Sequence, residues 1–214
     1  MVSALAQLPS DFLTALASLR EGRCRPELRL SELPAPARLA PFSVALEAEV
    51  APAPAPGLHV VGSHQPLHLP PASAVTGEPE LATGRFILLH DPAGSTIWDG
   101  TFRIVTYIRA QLEAELGNDQ MLGSVAWTWL VDALENHDAG YREAGGTATR
   151  ILSESFGTLS ERADSIDIEL RASWTPDGPD VQAHLEAWSD MVCTFAGLPP
   201  LPEGVSALPR LRRN

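Results

Sequence analysis

The sequence predicts an α+β protein, in which an antiparallel sheet of about five strands carries a layer of helices. The segment Ser165–Trp174 alternates apolar and polar residues, which is the pattern of a half-buried strand. Residues 120–136 and 179–196 instead carry apolar side chains at helical spacing. Predicted strands and helices occur in separate runs, and such segregation is typical of α+β proteins rather than of alternating parallel-sheet folds.

The remaining elements follow from the same two periodicities and from capping residues. The predicted helices are 9–21, 101–116, 120–136 and 179–196, and the predicted strands are 43–50, 58–61, 85–90, 147–156 and 165–174. Because residues 101–116 and 120–136 are separated by a short turn, we expect them to form an αα-hairpin. The last two strands are close enough to form an antiparallel hairpin, and the chain carries no internal repeat.

The proline distribution predicts the domain organisation. We expect residues 1–200 to form a single α+β domain, interrupted by proline-rich loops around 51–57 and 64–80. Residues 201–214 are expected to form a mostly irregular tail. No apolar stretch approaches the ~20 residues that cross a bilayer, and the N-terminus lacks the pattern of a signal peptide. We therefore expect a cytoplasmic protein with no membrane partner.

Charge and composition exclude several functions. The chain has a formal charge of −12, which argues against non-specific binding to nucleic acid. All 15 basic residues are arginine, so no lysine is present for a Schiff base, a P-loop or a kinase site. Cys24 and Cys193 lack the neighbours of a zinc site or a redox pair, and Cys193 is expected to be a small buried apolar residue. We predict no disulfide, no metal and no cofactor.

Several segments resemble a known family. The stretches FILLHDPAGSTIWDGTFRIVTYIRAQLEAEL, GGTATRILSESFG and IELRASWTP are similar to the actinobacterial family catalogued as domain of unknown function 3000. The similarity covers most of the chain, and the arginine-only, alanine- and proline-rich composition suits that origin. The resemblance implies a cytoplasmic protein but no activity or catalytic residue. It also implies a link to RNA metabolism, because members are often encoded near a ribonuclease-D-like exonuclease.

The segment 90–100 is the best candidate for a catalytic site. It is predicted to join a buried strand to a helix, so its polar groups would lie beside a helix N-terminus that favours an anion. His90 could act as an acid or base, and Asp91 and Asp99 could orient it or bind a metal. Ser95 and Trp98 are further binding candidates. The competing interpretation is structural, with Asp91 starting a turn, Asp99 or Thr101 capping the helix and Trp98 closing the core.

Other histidines are weaker candidates. The pair His137-Asp138 ends a predicted helix and, together with His90-Asp91, is similar to metal phosphohydrolase motifs, but His137 more simply complements the helix dipole. His59, His64 and His68 lie near one another, yet the intervening prolines forbid the helix that would make their spacing meaningful. His184 is expected to be an interfacial histidine with a hydrogen-bond partner.

Trp127 and Trp129 are candidate binding residues. They are two positions apart on a predicted helix and point in different directions, so one of them could mark an interface. The leading hypothesis is a non-enzymatic module that binds a protein partner or forms a homo-oligomer through this helical layer or an open sheet edge. The alternatives are a small hydrolase or transferase using residues 90–100, and a factor acting in RNA metabolism with Arg85, Arg103, Arg142 and Arg150 on one face.

Overall fold

The structure is a computed structural model and describes residues 8–36, 38–51, 81–112 and 119–198. It contains three helices and six strands in these ranges. The helices are α1 (Ser10–Glu21), α2 (Leu122–Asn136) and α3 (Gln182–Phe195), and the strands are β1 (Leu28–Leu33), β2 (Phe42–Val50), β3 (Ala82–Ser95), β4 (Gly100–Leu112), β5 (Tyr141–Ser153) and β6 (Ser165–Pro176). The predicted α+β class is confirmed, with six strands where about five were expected.

The strands form one antiparallel sheet in the order β1-β2-β3-β4-β6-β5. Strands β1 to β4 each pair with the next strand in the chain. After β4, helix α2 leads the chain to β5, and a space for one strand remains between β4 and β5. Strand β5 therefore lies at one edge, and β6 fills the place between it and β4. The predicted hairpin of the last two strands is confirmed, since Ser153 pairs with Ser165.

The helices cover one face of the sheet, and α3 lies closest to its centre. Gly84 on β3 permits this approach, because a Cβ atom there would lie 2.8 Å from Val192 and 2.9 Å from Trp188. Trp188 is buried against the sheet and donates a hydrogen bond from Nε1 to the Thr106 hydroxyl over 2.8 Å. The core therefore lies between α3 and the central strands. The hydrogen bond from Trp188 to Thr106 links α3 to β4 inside this core.

The opposite face of the sheet is polar. Across β4 and β6, Arg109 pairs with Asp167 at 2.7 Å, and the Tyr107 hydroxyl donates to Glu169 at 2.8 Å. Burial, followed by the hydrogen bond to Glu169, raises the pKa of the Tyr107 phenol. Alternation along each strand thus gives an apolar face under the helices and an ion-paired face on the other side.

The helix predicted over residues 101–116 is wrong. Residues Gly100–Leu112 form strand β4, and no αα-hairpin exists there. Phe102 and Ile108 fit both a helical stripe and a strand alternation, so the helical pattern was ambiguous. Their alternate neighbours Ile104 and Thr106 are buried on the same face, whereas Val105 is only half-buried. A stretch this rich in β-branched residues packs better in a sheet.

The other predicted elements that fall on described residues are confirmed with shifted ends. Strand β3 extends well beyond the predicted 85–90, and β5 begins at Tyr141 rather than at 147. The extra length of β5 includes a β-bulge, because two residues between Arg142 and Gly145 lie opposite a single residue of β6. A turn or bulge was expected nearby, at Gly145-Gly146. The predicted strand 58–61, most of the proline-rich loops and the tail lie outside the described residues.

Candidate functional site

The segment 90–100 is a β-hairpin tip rather than a strand-to-helix connection. Strand β3 runs to Ser95, four residues form the turn, and Ser95 pairs with Gly100 at the start of β4. Asp99 has a φ of 52°, a left-handed conformation that aspartate adopts more readily than most residues. The expected helix N-terminus is therefore wrong, and the anion-binding argument that depended on it no longer applies.

His90 lies in an aromatic cluster inside the protein. Its side chain is 1% exposed and stacks between Phe12 of α1 and Phe102 of β4, with ring centroids 5.8 Å and 4.2 Å away. Its Nδ1 lies 3.0 Å from the carbonyl oxygen of Thr101. Because a carbonyl only accepts, Nδ1 carries the proton, and Nε2 has no hydrogen-bond partner among the described residues. At 1% exposure, the ring is covered by the described residues around it.

The two aspartates of the segment have other partners. Asp91 accepts a hydrogen bond from the Ala93 backbone N–H over 3.0 Å, as in an Asx turn. Asp99 pairs at 3.1 Å with Arg142, which also pairs with Asp177 at 3.0 Å. Within the described chain, neither carboxylate hydrogen-bonds to His90. The structure thus does not assemble the proposed acid–base group.

The two remaining candidates of this segment contribute to the turn. Ser95 forms the last pair of the hairpin, and Trp98 is half-buried. The carbonyl of Trp98 accepts a hydrogen bond from the Thr175 hydroxyl, which connects the tip to β6. Both residues therefore have structural roles that account for their positions.

The second His-Asp pair is also separate from the first. His137 contacts α3, with Nε2 2.7 Å from Asp190 and Nδ1 3.8 Å from Glu186. The hydrogen bond to Asp190 raises the pKa of His137, against a smaller opposing effect of burial. His90 and His137 have entirely different neighbours, and among the residues described no three His, Cys, Asp or Glu side chains could hold a metal ion.

A polar cavity of about 270 Å³ lies between the end of α2 and the start of α3. Its lining includes the carboxylates Asp138, Asp177, Asp180 and Glu186. His184 also lines it, and its Nδ1 accepts a hydrogen bond from the Trp174 indole N–H. This bond confirms the expectation that His184 is an interfacial histidine with a partner. Two of these carboxylates have a basic neighbour, since Asp177 pairs with Arg142 and Glu186 lies 3.8 Å from His137. No described group points to a ligand.

The tryptophans of α2 belong mainly to the core. Both Trp127 and Trp129 are half-buried and pack against the core, and Trp129 meets Phe195 edge to face at 5.3 Å. The exposed apolar residue at this end of the helical layer is Met121, just before α2, which is 62% exposed. Trp129 thus contributes to the α2–α3 contact, whereas Met121 is available for an interface.

The thiols provide no reactive group. Both cysteines are free, and burial raises the pKa of Cys193 to about 12. Burial also raises the pKa of Cys24, against a hydrogen bond with Ser189 that lowers it. The nucleophilic thiolate is therefore disfavoured at both positions.

The most distinctive surface is the outer edge of β5. Along residues 145–153 every side chain except half-buried Ile151 is exposed, Leu152 at 60%. In the described part of the chain β5 pairs with β6 alone, so alternate backbone N–H and C=O groups on its other side face outward. The opposite edge differs, because β1 is six residues long, carries Arg29 and Glu32, and is followed by prolines. Such features protect an edge, whereas the stretch 145–153 of β5 is longer, contains no proline and carries Arg150 as its only charge.

The start of α2 adjoins this edge. Gly123 lies over Ala148, since a Cβ atom on Gly123 would be 3.6 Å from the Cβ of Ala148. Arg150 donates a hydrogen bond over 2.8 Å to the backbone carbonyl of Asp119. We call residues 145–153 together with Met121 the β5 edge surface. Sequence analysis identified a strand here but not its position at the edge, although the single charge within GGTATRILS was a visible signal.

Fold and surface together define an α+β protein whose candidate site is a sheet edge rather than a catalytic cleft. A family model described as protein of unknown function (DUF3000) matches residues 8–206, and the chain belongs to this family. The resemblance noted in the sequence is thereby confirmed. No curated protein and no solved structure matches the chain. None of the described helices is long and apolar enough to span a membrane.

Proposed function

We propose that the protein is a non-enzymatic cytoplasmic binding module that engages a protein partner or another copy of itself through the β5 edge surface. The observation that carries this proposal is the exposed stretch 145–153 of the outer strand, in which Arg150 is the only charged residue. The backbone groups on its outer side, which pair with no other described strand, can hydrogen-bond to an added strand, as in β-strand addition. Two free cysteines are also typical of proteins in a reducing compartment.

Side chains of the surface support the same function. Leu152 and Met121 are both more than half exposed, at 60% and 62%. Leu152 lies on β5, and Met121 directly precedes α2, whose Gly123 lies over Ala148 of β5. An added strand would bury apolar area there at roughly 25 cal/mol per Å², in addition to forming backbone hydrogen bonds. Between Gly145 and Ser153 only Arg150 is charged, so desolvating this edge costs little.

The enzyme alternative centred on His90 has one observation in its favour, the unpaired Nε2. Against it stand the 1% exposure of the ring and the separate partners of Asp91 and Asp99. A factor acting in RNA metabolism would need its arginines on one face. Arg85 pairs with Glu47 on the polar side of the sheet, whereas Arg150 lies opposite Ile168 and thus on the helical side. The binding module is therefore the function we favour.

A capture experiment with matched edge variants tests the proposal. Thr149 on β5 and Ser31 on β1 are both exposed edge residues, and each lies opposite a glutamate of the neighbouring strand. We expect immobilised wild-type protein and Ser31→Lys to retain the same proteins, added copies of the chain included, and Thr149→Lys to lose them. Equal retention by both lysine variants would refute the β5 edge surface as the binding site.

A further inference from the structure

We infer that the partner of the β5 edge surface is a second copy of this chain, with the two β5 strands pairing antiparallel about a twofold axis at Thr149. This inference rests on the proposed function, since it names the occupant of the same surface. The two sheets would become one continuous sheet, with both helical layers on the same side. The dimer would remove the unprotected edge from both subunits.

Symmetry restricts the register of such pairing. In a continuous sheet the twofold axis is normal to the plane of the sheet, so each residue faces one that is an even number of positions away. Strand β5 pairs regularly with β6 from Gly145 to Ser153, beyond the bulge. An axis at the centre of this stretch, Thr149, lets all of it overlap. The overlap would provide about eight to ten hydrogen bonds, which is close to the number in a typical protein interface.

The side chains suit this register. Thr149 would face its own copy, and Ile151 would face Thr147, which are β-branched pairs that stabilise sheets. On the helical side, Leu152 would face Gly146, so the larger side chain meets one that leaves room for it. Arg150 would face Ala148, whereas an axis one position further along would oppose two copies of Arg150. The only charge of the stretch is thus kept away from its symmetry mate.

Charge supports a second copy as the occupant in spite of the chain's net charge of −12. Asp and Glu are absent from the stretch 145–153, so the acidic repulsion between copies is not concentrated where the strands would meet. Exposed Met121 and Leu152 lie on the helical side of the sheet, where the two helical layers would approach each other. A strongly basic partner would find no acidic side chain in this stretch to pair with.

Introducing a positive or a negative charge at Thr149 tests both the dimer and its register. Thr149→Lys and Thr149→Glu each place like charges opposite one another across the axis, and we expect the dimer dissociation constant to rise roughly fivefold in each. An equimolar mixture of the two variants should recover the dimer, because opposite charges then face each other. Ser31→Lys and Ser31→Glu are the matched controls and should remain dimeric. Sedimentation equilibrium measures the masses, and circular dichroism verifies that each variant is folded.

Hydrogen exchange provides a readout that needs no variant. We expect amides of Gly145–Ser153 to become more protected as the wild-type concentration rises. Protection that is independent of concentration would overturn the inference, since the edge would then be covered within one chain. A monomer at high micromolar concentration that still loses captured proteins on Thr149→Lys would overturn the self-pairing but leave the proposed function standing. A dimer that is disrupted equally by the Ser31 variants would also overturn it.

Discussion

The indole N–H of Trp174 donates a hydrogen bond to Nδ1 of His184 over 3.1 Å, and both side chains are buried. Because an indole only donates, Nδ1 must present a lone pair, and the neutral imidazole carries its proton on Nε2. Burial lowers the pKa of His184 to about 4, while Asp177 and Asp180 act in the opposite direction with smaller effect. The pair thus fixes one tautomer of a neutral histidine.

This arrangement predicts a loss of stability in mild acid. The unfolded histidine binds a proton below pH ~6.5 and the folded one only near pH 4, so the free energy of unfolding should fall over this interval as pH decreases. The loss attributable to His184 is about 3 kcal/mol at most. His184→Gln keeps an acceptor for Trp174 but does not titrate, so its stability should depend less on pH there. Urea unfolding of both proteins between pH 4 and 7 measures the difference, and parallel curves would contradict the prediction.

His137 should show the opposite pH dependence. Its pKa is raised by Asp190, so the stability from this pair is present below pH ~6.5 and is lost as pH rises through the folded pKa of His137. We expect Asp190→Asn to lower the His137 pKa and to cost ~0.5 kcal/mol near pH 6, since both groups are partly exposed. NMR titration of the imidazole measures the pKa. Asp138→Asn is the control, and an equal shift in that variant would disprove the specific pairing.

Gly84 is predicted to be required for the packing of α3 on the sheet. In Gly84→Ala the added methyl would lie 2.8 Å from Val192 and 2.9 Å from Trp188, so we expect a loss of about 1–3 kcal/mol from overpacking. Gly145→Ala is the matched strand control, because its Cβ meets nothing within 4 Å. Chemical denaturation at one protein concentration compares them. A Gly84→Ala protein as stable as wild type would show that α3 shifts freely over β3.

The Thr106 hydroxyl is predicted to be a polar anchor of the core. It accepts from Trp188 and donates to the Arg85 carbonyl oxygen over 2.9 Å. Thr106→Val conserves volume but leaves the buried indole N–H without a partner, which should cost about 1–3 kcal/mol. Thr106→Ser keeps the hydroxyl and should cost less. Equilibrium unfolding decides the order, and a serine variant less stable than the valine variant would show that the methyl group matters more.

Local patterns predicted most of this fold because alternation and helical stripes are set by which side chains are buried. They were insufficient at β4, where Phe102 and Ile108 satisfy both periodicities. Asp99 and Thr101 were considered as helix caps in the structural alternative, although Asp-Gly before an alternating stretch is also typical of a hairpin turn. The wrong helix placed residues 90–100 next to a helix N-terminus, and the sequence analysis therefore inferred a favourable helix dipole that does not exist there. The error in one element therefore produced the anion-binding part of the catalytic hypothesis.

The candidate binding site was less accessible to sequence reasoning. Strand order depends on contacts between distant segments, and nothing local to β5 indicates that β6 lies inside it. The exposure of Leu152 and the position of Met121 beside the strand follow only from that order. The tryptophans show the converse, since Trp127 and Trp129 suggested an interface by their residue type, but tertiary packing places both against the core.

The position of β6 between β4 and β5 also determines how the native state can open locally. In a single chain the sheet separates from its margins inward, so β5 can detach while the ladder between β4 and β6 stays intact. The reverse does not hold, because β6 cannot leave β4 without taking β5 out of the sheet as well. Fluctuations on this side of the molecule should therefore be nested, with exchange at β5 preceding exchange at β6.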